Sequence, residues 1–364
     1  MTLHADPQLP QPRDTVLTLV PYVPGTRPTS AATAALASNE GHFAPLPSVF
    51  DAVATSARQL NRYPDTGAPI LRERIAAHAG VSVAEIAVGA GSLGVLEQII
   101  TSLCDPGDEI VFAWRSFEAY PVLATLGCAV PVAVPLASDE GHDLAAMAAA
   151  ITERTRIVVL CTPNNPTGVP IPGAAIERFL SGVPSRVLVV IDEAYLEYDT
   201  SADPVDAVAI YRAHPNVCVL RTFSKAHGLA GLRVGYAIAR PHIADGLRRS
   251  GLPFAVSMLA QDAAIASLDA EDQVRERVAL VTAERERVAT AARGLGWAIP
   301  DSQANFIWIR VDDPGREQLL AAFSEADIIV RGYPGDGVRI TLADAVTNDR
   351  VLAVLASVAG RLPS

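Results

Sequence analysis

Apolar residues gather into short runs along this chain, and the segments between them carry helical spacing or turn residues. Six such runs, Glu109–Ala113, Ala129–Leu136, Arg156–Cys161, Val187–Ile191, Val217–Arg221 and Val234–Ala239, read as strands. Ile157 to Cys161 and Val187 to Ile191 are apolar throughout, as strands buried on both faces of a parallel sheet are. Helical spacing falls between them and ahead of them, at Leu71–His78 and Leu93–Leu103. The alternation predicts an α/β fold with a doubly wound, mostly parallel sheet. From about Ala244 to Leu295 the pattern turns helical, and Arg275, Glu276, Arg277, Glu284, Arg285, Glu286 and Arg287 read as its solvated face. Short strands at Asn305–Val311, Ile328–Arg331 and Val338–Leu342, with a helix after Gly315, predict a smaller α+β domain. The expected division is an arm over 1–30 belonging to the small domain, a large domain over 31–243, an interdomain helical region over 244–295 and a small C-terminal domain over 296–364.

The length of 364 residues exceeds what one core usually holds, which agrees with two domains. A net charge of −11 argues against nucleic acid and anionic membrane surfaces as partners. An anionic substrate must therefore be met by local arginines. No stretch approaches the roughly 20 apolar residues of a spanning helix, and Met1–Thr15 lacks the apolar core of a secretion signal. A cytoplasmic protein is expected. Cys104, Cys128, Cys161 and Cys218 show no metal or disulfide spacing, and the seven histidines are scattered, so no metal site is expected.

Chemistry concentrates just after three of the predicted strands. Asn165 lies in Pro163-Asn164-Asn165-Pro166-Thr167-Gly168, and Asp192 and Tyr195 follow the run ending at Ile191. Lys225 lies in Arg221-Thr222-Phe223-Ser224-Lys225, eight residues before Arg233. Open α/β sheets bind ligands at the carboxyl ends of their strands, so these side chains should share one crevice. An amine flanked by two hydroxyls and a guanidinium suits an aldehyde that carries a phosphate. Gly89-Ala90-Gly91-Ser92-Leu93-Gly94 spells G-x-G-x-x-G, yet the next strand-like run ends at Phe112-Ala113-Trp114 with no acid at its tip, unlike a dinucleotide fingerprint. The better reading is a helix opened by Gly91, Ser92 and Leu93, whose free N–H groups bind a phosphate.

Together these segments resemble the fold-type I aminotransferases that use pyridoxal phosphate, in the branch of the histidinol-phosphate aminotransferases. The resemblance runs from about Pro21 to the C-terminal strands. It implies that Lys225 forms the internal aldimine and later moves the proton, that Asp192 pairs with the pyridine nitrogen, and that Asn165 and Tyr195 bond the ring oxygen. Gly91, Ser92, Leu93, Thr222, Ser224 and Arg233 match phosphate-binding positions, and Phe117 matches the residue that stacks on the ring. Tyr63 matches a tyrosine donated across a homodimer interface. Arg339 matches the arginine for the substrate α-carboxylate, Arg331 and Tyr22 match residues at its anionic end, and Asn39 lies in a segment that closes over the substrate. His227 departs from the family, standing where relatives commonly carry an aromatic residue, and is expected to alter packing alone.

The segment Leu36 to Pro47 lacks the Asn-Glu-Asn-Pro of the histidinol-phosphate enzymes, and Trp114-Arg115-Ser116-Phe117-Glu118-Ala119-Tyr120 resembles actinobacterial phenylalanine aminotransferases. The resemblance thus implies ping-pong transamination of phenylalanine, tyrosine and tryptophan with 2-oxoglutarate. Histidinol phosphate is the alternative substrate, since both need an anion clamp beside a flat ring pocket. Arg310 and Arg350 lie in the same region. A threonine-phosphate decarboxylase would use the same cofactor contacts, and a transcription regulator would need a DNA-binding domain where only about 30 irregular residues precede the fold.

Overall fold

The computed structural model describes residues 10–17, 19 and 33–360. Its strands in chain order are β1 (Ala34–Ala35), β2 (Ile86–Gly89), β3 (Glu109–Trp114), β4 (Val130–Pro135), β5 (Thr155–Cys161), β6 (Leu188–Asp192), β7 (Val217–Thr222) and β8 (Gly235–Ile238). They are followed by β9 (Phe306–Arg310), β10 (Ile328–Ile329), β11 (Arg331–Tyr333) and β12 (Gly337–Thr341). Strands β2 to β8 make one sheet of order β2-β8-β7-β6-β5-β3-β4. Its inner pairs β7·β6, β6·β5, β5·β3 and β3·β4 are parallel, and β8 alone runs against its two neighbours. This is the mostly parallel α/β sheet that the apolar runs predict. Strand β2, with only four residues, carried no run long enough to be read.

Along β5, Ile157, Val159 and Cys161 join one apolar cluster while Val158 and Leu160 join the other, on the opposite face. Leu188 to Ile191 of β6 alternate in the same way. A strand flanked by helices on both sides has no polar face, which is why these runs are uninterrupted. A third core gathers the C-terminal elements, including Ile307, Ile309, Leu319, Phe323, Ile340 and Leu355. Two segments from elsewhere complete it. β1 pairs in parallel with β10 and brings Leu36 into this core, and the helix Glu271–Gly294 contributes Val288, Ala289 and Ala292. The other half of that helix, with Val274, Val278 and Val281, packs in the first cluster. The predicted strand Ile328–Arg331 is divided, because β10 pairs with β1 whereas β11 pairs with β12.

Arg285 corrects the solvated-face reading. It is 1% exposed, and the reason is positional. On the helix it stands four residues after Val281 and three before Val288, inside the buried stripe. Its guanidinium reaches the Tyr198 carbonyl at 2.7 Å, the Ala304 carbonyl at 3.3 Å and the Thr200 hydroxyl at 2.8 Å. It thereby ties the large sheet's loops to the approach of β9. Arg285→Ala leaves these two carbonyls without a donor, at about 1–3 kcal/mol for each buried group, so a loss of about 3 kcal/mol is expected. Urea unfolding followed by circular dichroism measures it, and a loss below about 1 kcal/mol contradicts the account.

Candidate active site

The carboxyl ends of β7, β6, β5 and β3 open on one cavity, together with the helix Gly91–Leu103 that follows β2. Asp192 is the last residue of β6, Asn165 lies just beyond β5, and Lys225 follows β7 by three residues. All three line the cavity with Tyr195. The crevice expected from the strand ends therefore exists.

Asp192 is buried, and its Oδ2 accepts a hydrogen bond from the Tyr120 hydroxyl at 2.7 Å. Its Oδ1 is also buried and has no hydrogen-bond partner. Burial lifts the carboxyl to about 6, against the opposing hydrogen bonds from Tyr120 and the Ala194 N–H. A cation set beside Oδ1 would restore the ionised form. Tyr195 is held by the Asn39 amide at 2.8 Å, and burial pushes its hydroxyl well above the ordinary range.

On the other wall, the Thr222 hydroxyl donates to Ser224 Oγ at 3.0 Å, and Arg233 Nη1 reaches Ser224 Oγ at 3.5 Å and the Ala230 carbonyl at 3.1 Å. Ser92 and Leu93 face the same space from the first turn of their helix. Gly91 has φ +75°, and a Cβ there would stand 2.5 Å from Arg233 Nη2. Gly235 of β8 passes so near that its Cβ would lie 2.3 Å from the Ser92 nitrogen. Absent side chains at these two positions let the guanidinium and the helix N-terminus converge, a setting that favours a dianion such as phosphate.

Lys225 Nζ donates to the Ser38 carbonyl at 3.1 Å. Burial lowers its pKa to about 7, helped by the charges of Arg339 and Arg233 and opposed by Glu40. Arg339 of β12 is buried, donates to Asn165 Oδ1 and to the Ala37 carbonyl, and keeps Nε without a partner. Arg331 lies opposite it on β11 and donates to Glu118 Oε2 at 2.9 Å. Asn39 is buried at φ +54° and accepts a hydrogen bond from the Thr341 hydroxyl at 2.9 Å. Phe117 lines the cavity and meets Tyr120 edge-on.

One expected residue stands apart. Tyr63 is 80% exposed, stacks on Phe254 at 4.5 Å, and does not line this cavity. Tyr22 lies outside the described residues. Arg310 pairs with Glu140, and Arg350 donates to the Ala326 carbonyl. His227 packs on Phe223 and bonds Ser267 Oγ at 2.8 Å, and burial takes its pKa down to about 4. The sequence reading missed Tyr120, Glu118 and the Ser38 carbonyl. The first two lay in the segment Trp114 to Tyr120, but nothing in that segment shows that Tyr120 reaches β6.

Residues 33–357 match the family model described as aminotransferase class I and II. The chain belongs to this family. An aromatic amino acid aminotransferase of Streptomyces avermitilis is 49% identical over 92% of this chain and 93% of its own. One of Streptomyces coelicolor is 51% identical over 88% and 89%. The crystal structure of histidinol-phosphate aminotransferase from Sinorhizobium meliloti in complex with pyridoxal-5'-phosphate has a TM-score of 0.88 at 28% identity and covers all of both chains. Among the described residues of this aminotransferase, no helix is long and apolar enough to cross a membrane, and no acidic, cysteine or histidine group is arranged to hold a metal.

The lowered pKa of Lys225 has a direct readout in the ligand-free aminotransferase. Burial and neighbouring cations favour the neutral amine, so its reactivity should persist on acidification until about pH 7, whereas ordinary lysines lose theirs below about 10.4. Competitive acylation across pH, with the Lys225 peptide quantified by mass spectrometry, measures this. Arg339→Gln removes one of the depressing charges and should move the midpoint upward. A wild-type midpoint above about 9, in the ordinary lysine range, contradicts the assignment.

Proposed function

We infer that this aminotransferase moves amino groups between aromatic amino acids and 2-oxoglutarate, with pyridoxal phosphate as its cofactor, as a homodimer. The observation that carries the cofactor is the buried, unpartnered Oδ1 of Asp192 in the same cavity as a lysine of lowered pKa. An acceptor of that kind suits a protonated ring nitrogen, and the Gly91–Arg233–Ser224 cradle suits the phosphate. The residues present therefore fit the group. The substrate class is supported by the names of relatives near half-identical over most of both chains.

When bound, pyridoxal phosphate supplies an electron sink for the charge left at the substrate Cα. The chain's own residues do the rest. Asp192, ionised by the ring cation, keeps the proton on the ring nitrogen. Asn165 and Tyr195 offer hydrogen bonds to the ring oxygen, and Phe117 gives the ring an apolar face. Thr222, Ser224, Arg233 and the N–H groups of Gly91, Ser92 and Leu93 hold the phosphate. Lys225 Nζ anchors the cofactor and then, neutral near pH 7, accepts and returns the Cα proton. Arg339 has Nε open and neutral acceptors on its other nitrogens, so its charge is available for the α-carboxylate. Asn39 and Ser38 bring the segment after β1 over the site. The third core, joined by Leu36, supports a small domain around 296–364.

Steady-state kcat/KM for phenylalanine and for histidinol phosphate, each with 2-oxoglutarate, tests the substrate class. Phenylalanine should lead by about tenfold or more, and Arg339→Ala should cost about 2–5 kcal/mol of transition-state binding. A lead for histidinol phosphate replaces this reading with the alternative.

The dimer reading rests on Tyr63, which is exposed beside Phe254, with Leu60 and Leu252 also exposed nearby in sequence. Such surface suits a partner subunit. Tyr63 is then expected at the phosphate of the partner's site. Mixing inactive Lys225→Ala subunits with impaired Tyr63→Ala subunits should restore activity in the heterodimer, which holds one intact site. A fully active monomer in sedimentation would refute the shared site.

A further inference from the structure

We propose that Glu118 sets the substrate class of this aminotransferase by occupying Arg331, so that the side-chain end of the cavity presents little net positive charge. The proposal rests on the aromatic reading above and adds the residue that enforces it. Arg331 and Arg339 are directly opposed on the antiparallel strands β11 and β12, and both line the cavity. Opposed residues of a strand pair project from the same face, and like charges so placed repel. The two guanidiniums differ in what they touch. Arg339 donates to neutral acceptors, Asn165 Oδ1 and the Ala37 carbonyl. Arg331 donates to a carboxylate, Glu118 Oε2, at 2.9 Å, with both side chains half-buried or deeper.

With Arg233 given to the cofactor phosphate and Lys225 to its anchoring, Arg339 and Arg331 are the cavity cations left for a substrate. Glu118 removes one of them from use. What remains matches a molecule with one carboxylate and an uncharged side chain, and the second carboxylate of 2-oxoglutarate, a single charge sharing Arg331 with Glu118, costs less there than a phosphate dianion. The surroundings agree, since Tyr333 lies between the guanidiniums, 5.8 Å from Arg331 and 5.6 Å from Arg339, and Phe117 precedes Glu118 on the cavity wall. A flat apolar ring can lie against these two rings without disturbing the ion pair. A phosphate monoester at the same end would have to displace Glu118 from Arg331 or sit beside its charge. Discrimination then comes from a repulsive group aimed at the wrong substrate.

The test uses the holoenzyme and two amino donors, phenylalanine and histidinol phosphate, with 2-oxoglutarate held constant. Glu118→Gln keeps the size of the side chain and removes its charge. The ratio of kcat/KM, histidinol phosphate over phenylalanine, should rise by about tenfold or more. Glu118→Ala should move it in the same direction, and Glu118→Asp, which keeps the charge, should stay within about threefold of wild type. Calorimetry supplies a readout without turnover, using 3-phenylpropionate and 3-phosphonopropionate, which share a carboxylate and differ in a neutral ring against an anionic phosphonate. Glu118→Gln should bind the phosphonate about tenfold more tightly and the phenyl compound unchanged. A wild type that prefers phenylalanine, with a ratio unmoved by Glu118→Gln and Glu118→Ala, overturns the proposal and leaves the aromatic reading standing. A wild type that prefers histidinol phosphate overturns both.

Discussion

Crowding of positive charge around one amine governs the site. Lys225 stands in a cavity with Arg339 and Arg233, and burial, reinforced by those two charges, holds its pKa near 7. An isolated cluster of this kind would be unstable, because each cation raises the cost of the others. The fold manages it by giving each guanidinium a separate anchor. Arg233 leans on backbone carbonyls of Ala230 and Ala90, Arg339 on Asn165 and Ala37, and Arg331 on Glu118. Only the last of these anchors is charged. The cavity therefore keeps most of its positive character for anionic ligands, and it keeps the lysine neutral enough to accept a proton at ordinary pH.

Asp192 adds a buried carboxyl to this field. Its carboxyl is pushed up to about 6 by burial, and among the described residues the side chain that holds it is Tyr120. A buried acid with one open oxygen is costly in the ligand-free protein. A cation at Oδ1 would remove the cost, so on the proposed reading a ring that carries a proton would bind here more tightly than one that does not. Tyr120 thus works at a distance, fixing one oxygen so that the other stays aimed and unpartnered.

Much of this was legible in the sequence because the chemistry follows the strand ends. Runs such as Ile157 to Cys161 and Val187 to Ile191 are apolar throughout, which marks buried parallel strands, and the first polar residues after them had to meet at the sheet's carboxyl edge. Contacts between distant segments were not legible. Arg285 looked like one charge among seven, and only its place between Val281 and Val288 hints that it faces inward. Glu118 and Arg331 are separated by 213 positions, so no local pattern joins them. Strand β2 was too short to register. The role proposed for Tyr63 rests on resemblance, since a single chain leaves it exposed, away from the cavity.

The segment around Asn39 shows why the two ends of the chain must fold together before the site is complete. β1 pairs with β10, and four residues later the backbone N–H of Asn39 bonds Thr341 Oγ1 at 3.0 Å. The left-handed conformation at Asn39, one that asparagine tolerates better than most residues, turns its amide toward Tyr195 at 2.8 Å. Its carbonyl accepts from Asn305 at 3.2 Å. One residue thus joins β12, the approach to β9 and the tip of β6. Ser38 and Glu40, on either side of it, are delivered to Lys225, the first as a hydrogen-bond acceptor and the second as a charge that opposes the pKa depression. Arg339 on β12 and Ser38 and Glu40 beyond β1 all act on Lys225, so the proton affinity of that amine depends on how these elements are held against the sheet.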